Sequence, residues 1–504
     1  MTHRRIARIV LAVLLAASPA AAHRSSSPQC FTNPPARNSE GPPEVDGFWE
    51  EIIDLDVEAI HAIHLPTGKI LVWGYNVGAV APEIRGRLFD PNTSVSVDRN
   101  LPTASFCGGH THLPDGKVII AGGLGRGASV SVLYDPFADT FSAPISLYAG
   151  RYYPTLTTLA DGRVFTASGT GQRSSTPEVF DHLTNTWSPL GCDPFNPTVC
   201  RGARNRLHFY TRTSQAPDGR LFTVPASRLL YAFTFDLDTD TWIQHSIGTG
   251  NRGKMIPAPA VYYANGKMLR AGGDFYGPAS KATAEASIIE FPDSLAPTYR
   301  AIAPMAYARN RNNLTLLADG TVLATGGIRN APCAGPADPH VYHPELFDPV
   351  SETWETLGPM QQDRVYHSTA LLLRDGSIMV AGGELKHTTA QIFHPPYLYK
   401  GPRPVITSAP AAIDLAPATF DVFTPDAANV AQVNLLRLGA VTHAYDENQR
   451  IVRLNFLAGP GKVTVDGPAS NYAAPPGYYM LFLISDDGVP SVSEYVRVKS
   501  AEWP

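Results

Sequence analysis

Apolar residues along the chain occur in short runs that are separated by tight polar turns. The clearest runs flank a turn that contains a glycine preceded by aspartate, asparagine or threonine, as in LPDGKVIIAGG and LRDGSIMVAGG. Seven copies of this pattern are present, and their glycines lie 46 to 57 residues apart, at Gly68, Gly116, Gly162, Gly219, Gly266, Gly320 and Gly376. Because glycine tolerates positive φ, each copy predicts a β-hairpin.

A second apolar element follows most copies, as in EVFDHLTNTWSPL and ELFDPVSETWETL, and it predicts two more strands. About four strands in a repeat of roughly 50 residues are typical of a blade of a kelch-type β-propeller. We therefore predict a seven-bladed kelch-type β-propeller over residues 47–401. Trp49 is in phase with the Thr-Trp strands, so Gly47 to Trp49 is expected to complete the last blade and close the ring. The alternative is a loose N-terminal arm.

The repeat stops at the proline-rich segment from Pro395 to Pro404. Short apolar runs such as VNLLRLG and YYMLFLIS follow it, and they predict a C-terminal immunoglobulin-like β-sandwich over residues 402–504. The content of 42 glycines and 45 prolines suits many tight turns between short strands. The predicted fold class is therefore all-β.

The N-terminus has the pattern of a secretion signal. Arg4, Arg5 and Arg8 precede an apolar run and the small residues at 20–22, which predicts a signal peptide over residues 1–22 and an N-terminal arm over residues 23–46. A twin-arginine export route is also open. No later apolar run approaches the roughly 20 residues that span a bilayer, so we expect a secreted or extracytoplasmic protein and no membrane partner.

The charge pattern argues against a nucleic-acid partner. The net charge is −5, and no block of lysine or arginine occurs after the first eight residues. A chain of this composition offers little attraction to a phosphate backbone.

The chain has five cysteines, and an odd number in an exported protein points to an unpaired thiol. Cys192 and Cys200 frame a short loop and could close it as a disulfide. Cys30 and Cys333 could pair with each other or stay apart. Cys107, in SFCGGH, directly precedes a predicted inner strand, and we expect it to be unpaired.

Several candidate reactive residues stand at the starts of predicted inner strands. Tyr366 and His367 precede the inner strand of the seventh repeat, and Tyr153 and Cys107 precede those of two earlier repeats. The starts of inner strands line the central channel of a propeller, so these side chains can converge. Each could equally be a packing residue. His443, in GAVTHAYDENQR of the predicted sandwich, is a further candidate.

Three other histidines have suggestive positions, and we expect none of them to take part in the chemistry. His110 and His112, in GGHTHLPDG, have a zinc-like spacing, but no third ligand is obvious nearby, so we expect a structural role. His23 at the mature N-terminus suggests the copper brace of oxidative polysaccharide-cleaving enzymes. Those enzymes have a smaller, different fold, and this interpretation is set aside.

Taken together, the chain resembles the copper radical oxidases, the family of galactose oxidase and glyoxal oxidase, over essentially its mature length. The resemblance rests on SFCGGH, GRYYPTLTTLADGRVF, RVYHSTALLLRDG, GAVTHAYDENQR and PGYYMLFLISDDGVPSV, in the family's order. It implies one copper per chain, bound by Tyr153, Tyr366, His367 and His443. It also implies a thioether between Cys107 and Tyr153, which forms a protein-derived radical cofactor.

The implied reaction is the oxidation of a small aldehyde or primary alcohol by O2 with release of H2O2. Imidazole and phenolate ligands suit Cu(II). The resemblance implies that Tyr366 takes a proton from the substrate and that the Tyr153 radical takes a hydrogen atom from the substrate carbon. We expect a monomer. The alternative function is a non-catalytic secreted kelch propeller that binds a glycan or a protein.

Two sequence details bear on the substrate. RYYP, which contains Tyr153, is nearer to the glyoxal oxidase side of the family and favours small aldehydes or simple alcohols over a hexose. Galactose oxidase has a tryptophan that shields the thioether, whereas this chain has Gly171 at that place. We expect another aromatic residue to shield it, with Tyr210 as the candidate.

Overall fold

The computed structural model describes residues 41–75, 84–171, 174, 176–190, 207, 209–224, 231–246, 254–256, 259–276, 281–329, 340–383 and 387–500. Strands and turns dominate these residues, which confirms the all-β prediction. Within these ranges the helical elements are one short α-helix, α1 (Pro43–Asp46), and 3₁₀ helices at Gly125–Ser129, Pro396–Tyr399 and Ala427–Asn429. A search of the same ranges finds no helix of the length and apolarity that a membrane span requires. The predicted signal peptide, most of the predicted arm, and Cys30, Cys192, Cys200 and Cys333 lie outside the described residues.

The repeat region supplies 33 of the strands in the described ranges. In chain order they are β1 (Phe48–Trp49), β2 (Ile53–Asp54), β3 (His61–His64), β4 (Ile70–Tyr75), β5 (Ile84–Asp90), β6 (Val95–Asp98), β7 (Gly109–His112), β8 (Val118–Ala121), β9 (Val130–Asp135), β10 (Thr140–Phe141), β11 (Ile145–Ser146), β12 (Thr157–Thr158), β13 (Val164–Thr166), β14 (Glu178–Asp181), β15 (Thr186–Pro189), β16 (Arg212–Gln215), β17 (Leu221–Val224), β18 (Tyr231–Asp236), β19 (Thr241–Ser246), β20 (Lys254–Ile256), β21 (Ala260–Ala264), β22 (Lys267–Ala271), β23 (Asp274–Tyr276), β24 (Lys281–Ala282), β25 (Ala286–Glu290), β26 (Thr298–Ile302), β27 (Asn313–Leu316), β28 (Val322–Thr325), β29 (Glu345–Asp348), β30 (Thr353–Thr356), β31 (Ser368–Leu372), β32 (Ile378–Gly382) and β33 (Thr389–His394).

Seven antiparallel sheets, called sheets 1 to 7 in chain order, are built from these strands. Their main strand orders are β3-β4-β5-β6, β7-β8-β9-β10, β12-β13-β14-β15, β16-β17-β18-β19, β21-β22-β25-β26, β27-β28-β29-β30 and β31-β32-β33-β1. Strands β20, β23 and β24 form a separate small sheet, while β2 and β11 pair at the margins of sheets 7 and 2. The first strand of each sheet is called its inner strand.

Each repeat glycine lies in the turn that follows the inner strand of its sheet. The seven glycines have φ between 70° and 90°, a region that favours glycine. In sheet 2 the turn is closed by a hydrogen bond of 3.0 Å from Gly116 N to Leu113 O, and Asp115 accepts one of 3.0 Å from Lys117 N. The predicted hairpins therefore form at these turns.

Strand β1 from the N-terminus completes sheet 7. Trp49 pairs with Phe393 of β33, in the register that joins Trp187 to Phe180 and Trp354 to Phe347 in other sheets. The Trp49 indole is fully buried. The prediction that this segment closes the last repeat is confirmed, and the alternative of a loose arm is wrong for residues 48–49.

Hydrophobic clusters lie between successive sheets. One cluster joins Val118 of sheet 2 to Leu71 of sheet 1, and further clusters join each later sheet to the next. Another cluster contains Met379 of sheet 7 and Val72 of sheet 1. Because the last sheet packs on the first, the sheets enclose a central channel.

The C-terminal region contributes β34 (Ala412–Ile413), β35 (Thr419–Phe423), β36 (Val430–Arg437), β37 (Ala440–Thr442), β38 (Tyr445–Asp446), β39 (Ile451–Leu454), β40 (Phe456–Gly459), β41 (Lys462–Asp466), β42 (Gly477–Ser485) and β43 (Glu494–Val498). Two sheets, β34-β43-β42-β36-β39 and β35-β41-β40, enclose their own apolar core. This core includes Val422, Leu435, Val463 and Leu481.

The hairpin β37–β38 leaves this core and pairs with the repeat region. His61 and Ala62 of β3 pair with Thr442 and Val441 of β37, so the hairpin extends sheet 1. The buried residues that follow it bond to several sheets. Glu447 accepts hydrogen bonds from Leu156 N at 2.7 Å and His110 N at 3.3 Å, and the Gln449 side-chain amide donates to Leu314 O at 2.8 Å. These contacts fix the hairpin against the inner strands.

Candidate functional site

The structure brings all five predicted site residues together. Cys107, Tyr153 and the pair Tyr366–His367 lie just before the inner strands of sheets 2, 3 and 7, and His443 lies at the tip of the hairpin β37–β38. Cys107 Sγ is 3.3 Å from His443 Nε2, and the phenol oxygens of Tyr153 and Tyr366 are 3.4 Å apart. The ring centroids of His367 and His443 are 4.7 Å apart.

A shared backbone feature presents several side chains at this place. One residue shortly before the inner strand has the left-handed conformation in five of the sheets, although none of the five is glycine. These residues are Cys107 (φ 56°), Tyr153 (φ 62°), Tyr210 (φ 40°), Arg311 (φ 60°) and His367 (φ 67°). Such conformations cost of order 1–3 kcal/mol each and persist only where the surrounding structure holds them.

His443 reaches the site through a two-residue turn. Thr442 and Tyr445 form the last pair of the hairpin, and His443 and Ala444 between them have φ of 50° and 63°. Positive φ at both central residues defines a type I′ turn, whose twist matches the flanking strands. Asparagine and glycine are the usual residues there, so a turn with His443 and Ala444 is locally less stable. It carries an imidazole at its tip.

The Cys107 thiol is fully buried beside two tyrosines and a histidine. Burial raises the pKa of the thiol to about 12, although hydrogen bonds with Tyr153 and Tyr152 act in the opposite direction. The backbone N–H of Cys107 donates to His61 Nε2 at 3.1 Å. Cys107 is a free thiol within the described residues, as predicted.

The Tyr153 ring is surrounded by aromatic side chains. The rings of Tyr152, Phe209, Tyr210 and His443 have centroids 4.1, 5.0, 5.3 and 5.1 Å from that of Tyr153. Desolvation by burial is the main cause that raises the pKa of the Tyr153 phenol. A neutral phenol at this position would need a strong Lewis acid or a base nearby to ionise.

Tyr210, our candidate for the shielding residue, is buried and meets the Tyr153 ring edge to face, with an interplanar angle of 81°. Gly171 cannot carry the missing tryptophan in this backbone. A Cβ atom there would lie 2.2 Å from Gly150 O. The site is therefore enclosed by a set of edge-on rings, and no side chain is accommodated at Gly171.

The two candidate histidines both have a nitrogen suited to bind a metal. His367 Nε2 is buried and has no hydrogen-bond partner among the described residues. Burial lowers the pKa of His443 well below its usual range, which keeps the imidazole neutral. Cys107, His367 and His443 each have one potential ligand atom within 4.8 Å of the others, and the two phenol oxygens lie beside them.

This donor set of imidazole nitrogens and phenol oxygens fits a transition metal that prefers mixed nitrogen and oxygen ligands, such as Cu(II). The unpartnered His367 Nε2 supports this fit, because a buried polar atom without a partner is costly unless it binds something.

His110 and His112 have structural contacts. His112 Nε2 is 2.7 Å from His64 O, and His110 Nε2 is 3.4 Å from Ala62 O. Within the described residues, neither belongs to a group of three or more side chains that could hold a metal ion. His23 lies outside the described residues.

Sequence reasoning missed four residues that border the site. The His61 ring stacks on Trp73 with centroids 4.7 Å apart, and the Glu58 carboxylate is 3.6 Å from His367 Nδ1. The Arg311 guanidinium carbon lies 4.9 Å from the Tyr366 ring centroid. A signal was present for Arg311, since ARNRN aligns with GRYYP and DRVYH at the start of a repeat.

Comparisons with known proteins agree with this geometry. Residues 403–498 match the family described as "Galactose oxidase-like, Early set domain". Galactose oxidase from Gibberella zeae is 29% identical over 487 residues, which is 90% of this chain and 70% of that protein. Aldehyde oxidase GLOX from Vitis pseudoreticulata is 29% identical over 226 residues, which is 38% of this chain and 42% of that protein.

A solved structure extends the similarity to three dimensions. A fungal alcohol oxidase in complex with copper superimposes with a TM-score of 0.77 at 26% identity, over 90% of this chain and 99% of that one. The chain is thus similar to the copper radical oxidases over most of its length, which confirms the resemblance inferred from the five sequence motifs. The roles of Cys107, Tyr153, Tyr366, His367 and His443 remain predictions.

Proposed function

We propose that the protein is a secreted copper radical oxidase that oxidises a small aldehyde or a primary alcohol with O2 and releases H2O2. The observation that carries the proposal is the convergence of the five side chains, with the buried His367 Nε2 unpartnered beside them. A propeller that only binds a glycan or a protein has no need of this donor set.

The metal ligands in this proposal are Tyr153, Tyr366, His367 and His443. The two histidines supply neutral nitrogens, and the two tyrosines supply oxygens 3.4 Å apart. Bound copper would supply one of the two one-electron acceptors that a two-electron oxidation requires. The other acceptor is the Tyr153 ring in its oxidised, radical form.

Tyr366 and Tyr153 have separate roles in the reaction with the substrate. Tyr366, half-buried on the open side of the site, takes the hydroxyl proton of the alcohol or of the aldehyde hydrate. Tyr153 takes a hydrogen atom from the carbon that carries this hydroxyl group, which breaks the C–H bond. Two electrons and two protons in total leave the substrate, and O2 accepts them as H2O2. The aldehyde hydrate leaves as a carboxylic acid and the alcohol as an aldehyde.

The thioether would form between Cys107 Sγ and the Tyr153 ring. One S–H and one ring C–H bond are lost and one C–S bond forms, so two hydrogens are removed and O2 is the oxidant. This step is supported by the complete burial of Cys107 and by its membership of the small cluster against which Tyr153 packs. A ring substituted by sulfur is easier to oxidise, and the surrounding rings protect the radical from water.

The finer features of the proposal concern substrate and architecture. We take the fold to be a seven-bladed kelch-type β-propeller over residues 47–401 with an immunoglobulin-like sandwich over 402–504. The preference for a small aldehyde or simple alcohol rests on the RYYP sequence, and the Phe209 ring lies 5.0 Å from the Tyr153 ring, centroid to centroid. We also take the chain to be exported by its first 22 residues and to act as a monomer.

Intact mass and peroxide production test the proposal together. Protein loaded with copper in air should be two hydrogens lighter than its sequence predicts, and should release H2O2 with glyoxal, methylglyoxal, glycolaldehyde or a primary alcohol. Cys107→Ala should keep copper and lose most turnover. An unmodified mass, a titratable thiol at Cys107 and no peroxide with any substrate would instead support the non-catalytic propeller.

A further inference from the structure

We infer that Thr442 and Glu58 are positioning residues that hold both candidate ligand histidines with Nε2 toward the metal, Thr442 through its hydroxyl group and Glu58 through its carboxyl group. The inference rests on the proposed function, since it concerns how the ligands of that site are held. Neither residue is expected to touch the substrate or the metal.

The tautomer of His443 follows from the hydrogen bonds of the Thr442 hydroxyl. Thr442 Oγ1 donates to Ile60 O at 3.0 Å, and it is 2.6 Å from His443 Nδ1. A hydroxyl has only one hydrogen, so with that hydrogen given to Ile60 O the oxygen must accept from His443 Nδ1–H. His443 Nε2 then carries the lone pair, and this atom is the one 3.3 Å from Cys107 Sγ.

The hydrogen bond from Thr442 Oγ1 to Ile60 O decides whether Thr442 Oγ1 or His443 Nδ1 is the donor in the bond between them. Ile60 precedes β3 and its side chain is fully buried, and a buried carbonyl oxygen requires a donor. If Thr442 instead donated to His443 Nδ1, the Ile60 carbonyl would lose this partner. Both Ile60 O and the Thr442 hydroxyl are satisfied together only when the imidazole proton is on His443 Nδ1.

The orientation of His367 follows from Glu58. The Glu58 carboxylate is 95% buried and lies 3.6 Å from His367 Nδ1. This separation is too long for a hydrogen bond, but a carboxyl oxygen next to Nδ1 favours the tautomer that has its proton on Nδ1. The other nitrogen, Nε2, is the one that is buried without a partner. Nε2 therefore keeps its lone pair for a metal.

The backbone holds Glu58 firmly in this place. Ile60 N donates to Glu58 O at 2.8 Å, and a Cβ atom on Gly74 would lie only 1.8 Å from that same oxygen. Glycine at position 74 thus permits the Glu58 carbonyl oxygen to lie close to the backbone of β4. This packing brings the Glu58 carboxylate to His367. Removal of such outer partners of metal-bound histidines typically weakens metal binding about 10- to 100-fold.

The two partner groups differ in kind and in distance. A carboxyl oxygen lies 3.6 Å from His367 Nδ1, and a hydroxyl oxygen lies 2.6 Å from His443 Nδ1, so the two imidazoles have different surroundings. The geometry therefore predicts that the two remote Nδ1 nitrogens are distinguishable in the copper-loaded protein. Electron spin-echo envelope modulation of Cu(II) reports the hydrogen bonding of such remote imidazole nitrogens.

The test compares Glu58→Gln, Glu58→Ala, Thr442→Ser and Thr442→Val in the full chain loaded with Cu(II). Chelator competition should show that Glu58→Ala and Thr442→Val bind copper roughly 10- to 100-fold more weakly, while Glu58→Gln and Thr442→Ser stay nearer to wild type. Each weakening variant should alter the echo modulation of one remote nitrogen and leave the other unchanged. Thr442→Ser keeps the hydroxyl, so it separates positioning from packing.

Glu50→Gln is the matched control, because Glu50 accepts from His394 Nε2 at 2.6 Å in an ion pair away from the site. It should leave affinity and modulation unchanged. Wild-type affinity and unaltered modulation in both Glu58→Ala and Thr442→Val would overturn the inference while the oxidase proposal stands. Wild-type protein that takes up no copper would overturn both.

Discussion

The buried Glu447 carboxylate anchors the hairpin that carries His443, and it yields a prediction with a defined sign. Burial raises the pKa of Glu447 well above its usual range, so the folded protein holds the group in its neutral form. Oε2 accepts from the N–H groups of Leu156 and His110, while Oε1 has no partner among the described residues. Glutamine has the same shape as the neutral acid and can accept the same two bonds.

We therefore expect Glu447→Gln to fold with nearly wild-type stability at acid pH, and Glu447→Ala to lose stability. The alanine variant leaves two buried N–H groups unsatisfied, which costs about 1–3 kcal/mol each and so about 2–6 kcal/mol in total. For a chain of this length the entropy of unfolding is about 1 kcal/mol per degree, so the melting temperature should fall by about 2–6 °C.

The pH dependence separates the two variants further. The pKa of a glutamate in the unfolded chain is about 4.3, so above this pH the folded state binds the proton that the unfolded state releases. Wild-type stability is then lost as the pH rises from about 4.3 toward the raised folded pKa, at about 1.4 kcal/mol per pH unit. Glu447→Gln lacks this slope, so its melting temperature should gain about 1.3 °C on that of wild type for each pH unit between about pH 4.3 and the raised folded pKa.

Scanning calorimetry of the two variants and wild type between pH 4.5 and pH 7.5 measures these differences. Equal melting temperatures for Glu447→Gln and Glu447→Ala would show that the two hydrogen bonds to Glu447 do not stabilise the hairpin, and a wild-type slope in Glu447→Gln would show that another group titrates. The account of how the hairpin is held would then be wrong.

Two other substitutions test the hairpin and the closure of the ring. Ala444→Gly should raise the melting temperature by about 1 °C, because glycine relieves the positive φ of 63° at the turn; a fall would contradict the type I′ geometry. Trp49→Ala should lower it by about 3–5 °C, since it removes a buried indole that packs 4.5 Å from Phe393 and donates to Gly358 O at 3.0 Å. Phe48→Ala, at an exposed neighbour, is the control, and an equal loss there would refute the role of Trp49 in closure.

Much of the fold could be predicted because its determinants are local. A turn that needs positive φ requires glycine, and the glycines at 68, 116 and the other five turns reveal the repeat by their spacing. Trp49 could be placed because its segment resembles the Thr-Trp strands of the other repeats, although its partner Phe393 is distant in sequence. Both signals are therefore read from a short stretch of sequence.

The contacts across the central channel could not be predicted in this way. The pairing of His61 with Thr442 joins strands at opposite ends of the chain, and no local pattern in GAVTHAYDENQR indicates it. His443 is a candidate from its stretch of sequence, but only the family resemblance supplies the expectation that it reaches the channel. The contact of Glu58 with His367 depends on how tightly the backbone passes Gly74, which is a property of the packed ring.

The residues with left-handed backbone before the inner strands lie at the site, whereas other residues pack the sheets together. The hydrophobic clusters that join the sheets do not include Arg311 or His367, whereas Cys107 lies in a small cluster with Ile60 and Phe106, against which Tyr153 packs. A new side chain at position 311 or 367 therefore removes no residue from these clusters. Reactivity in such a ring can therefore change one repeat at a time, and a binding propeller and an oxidase can be separated by only a handful of substitutions.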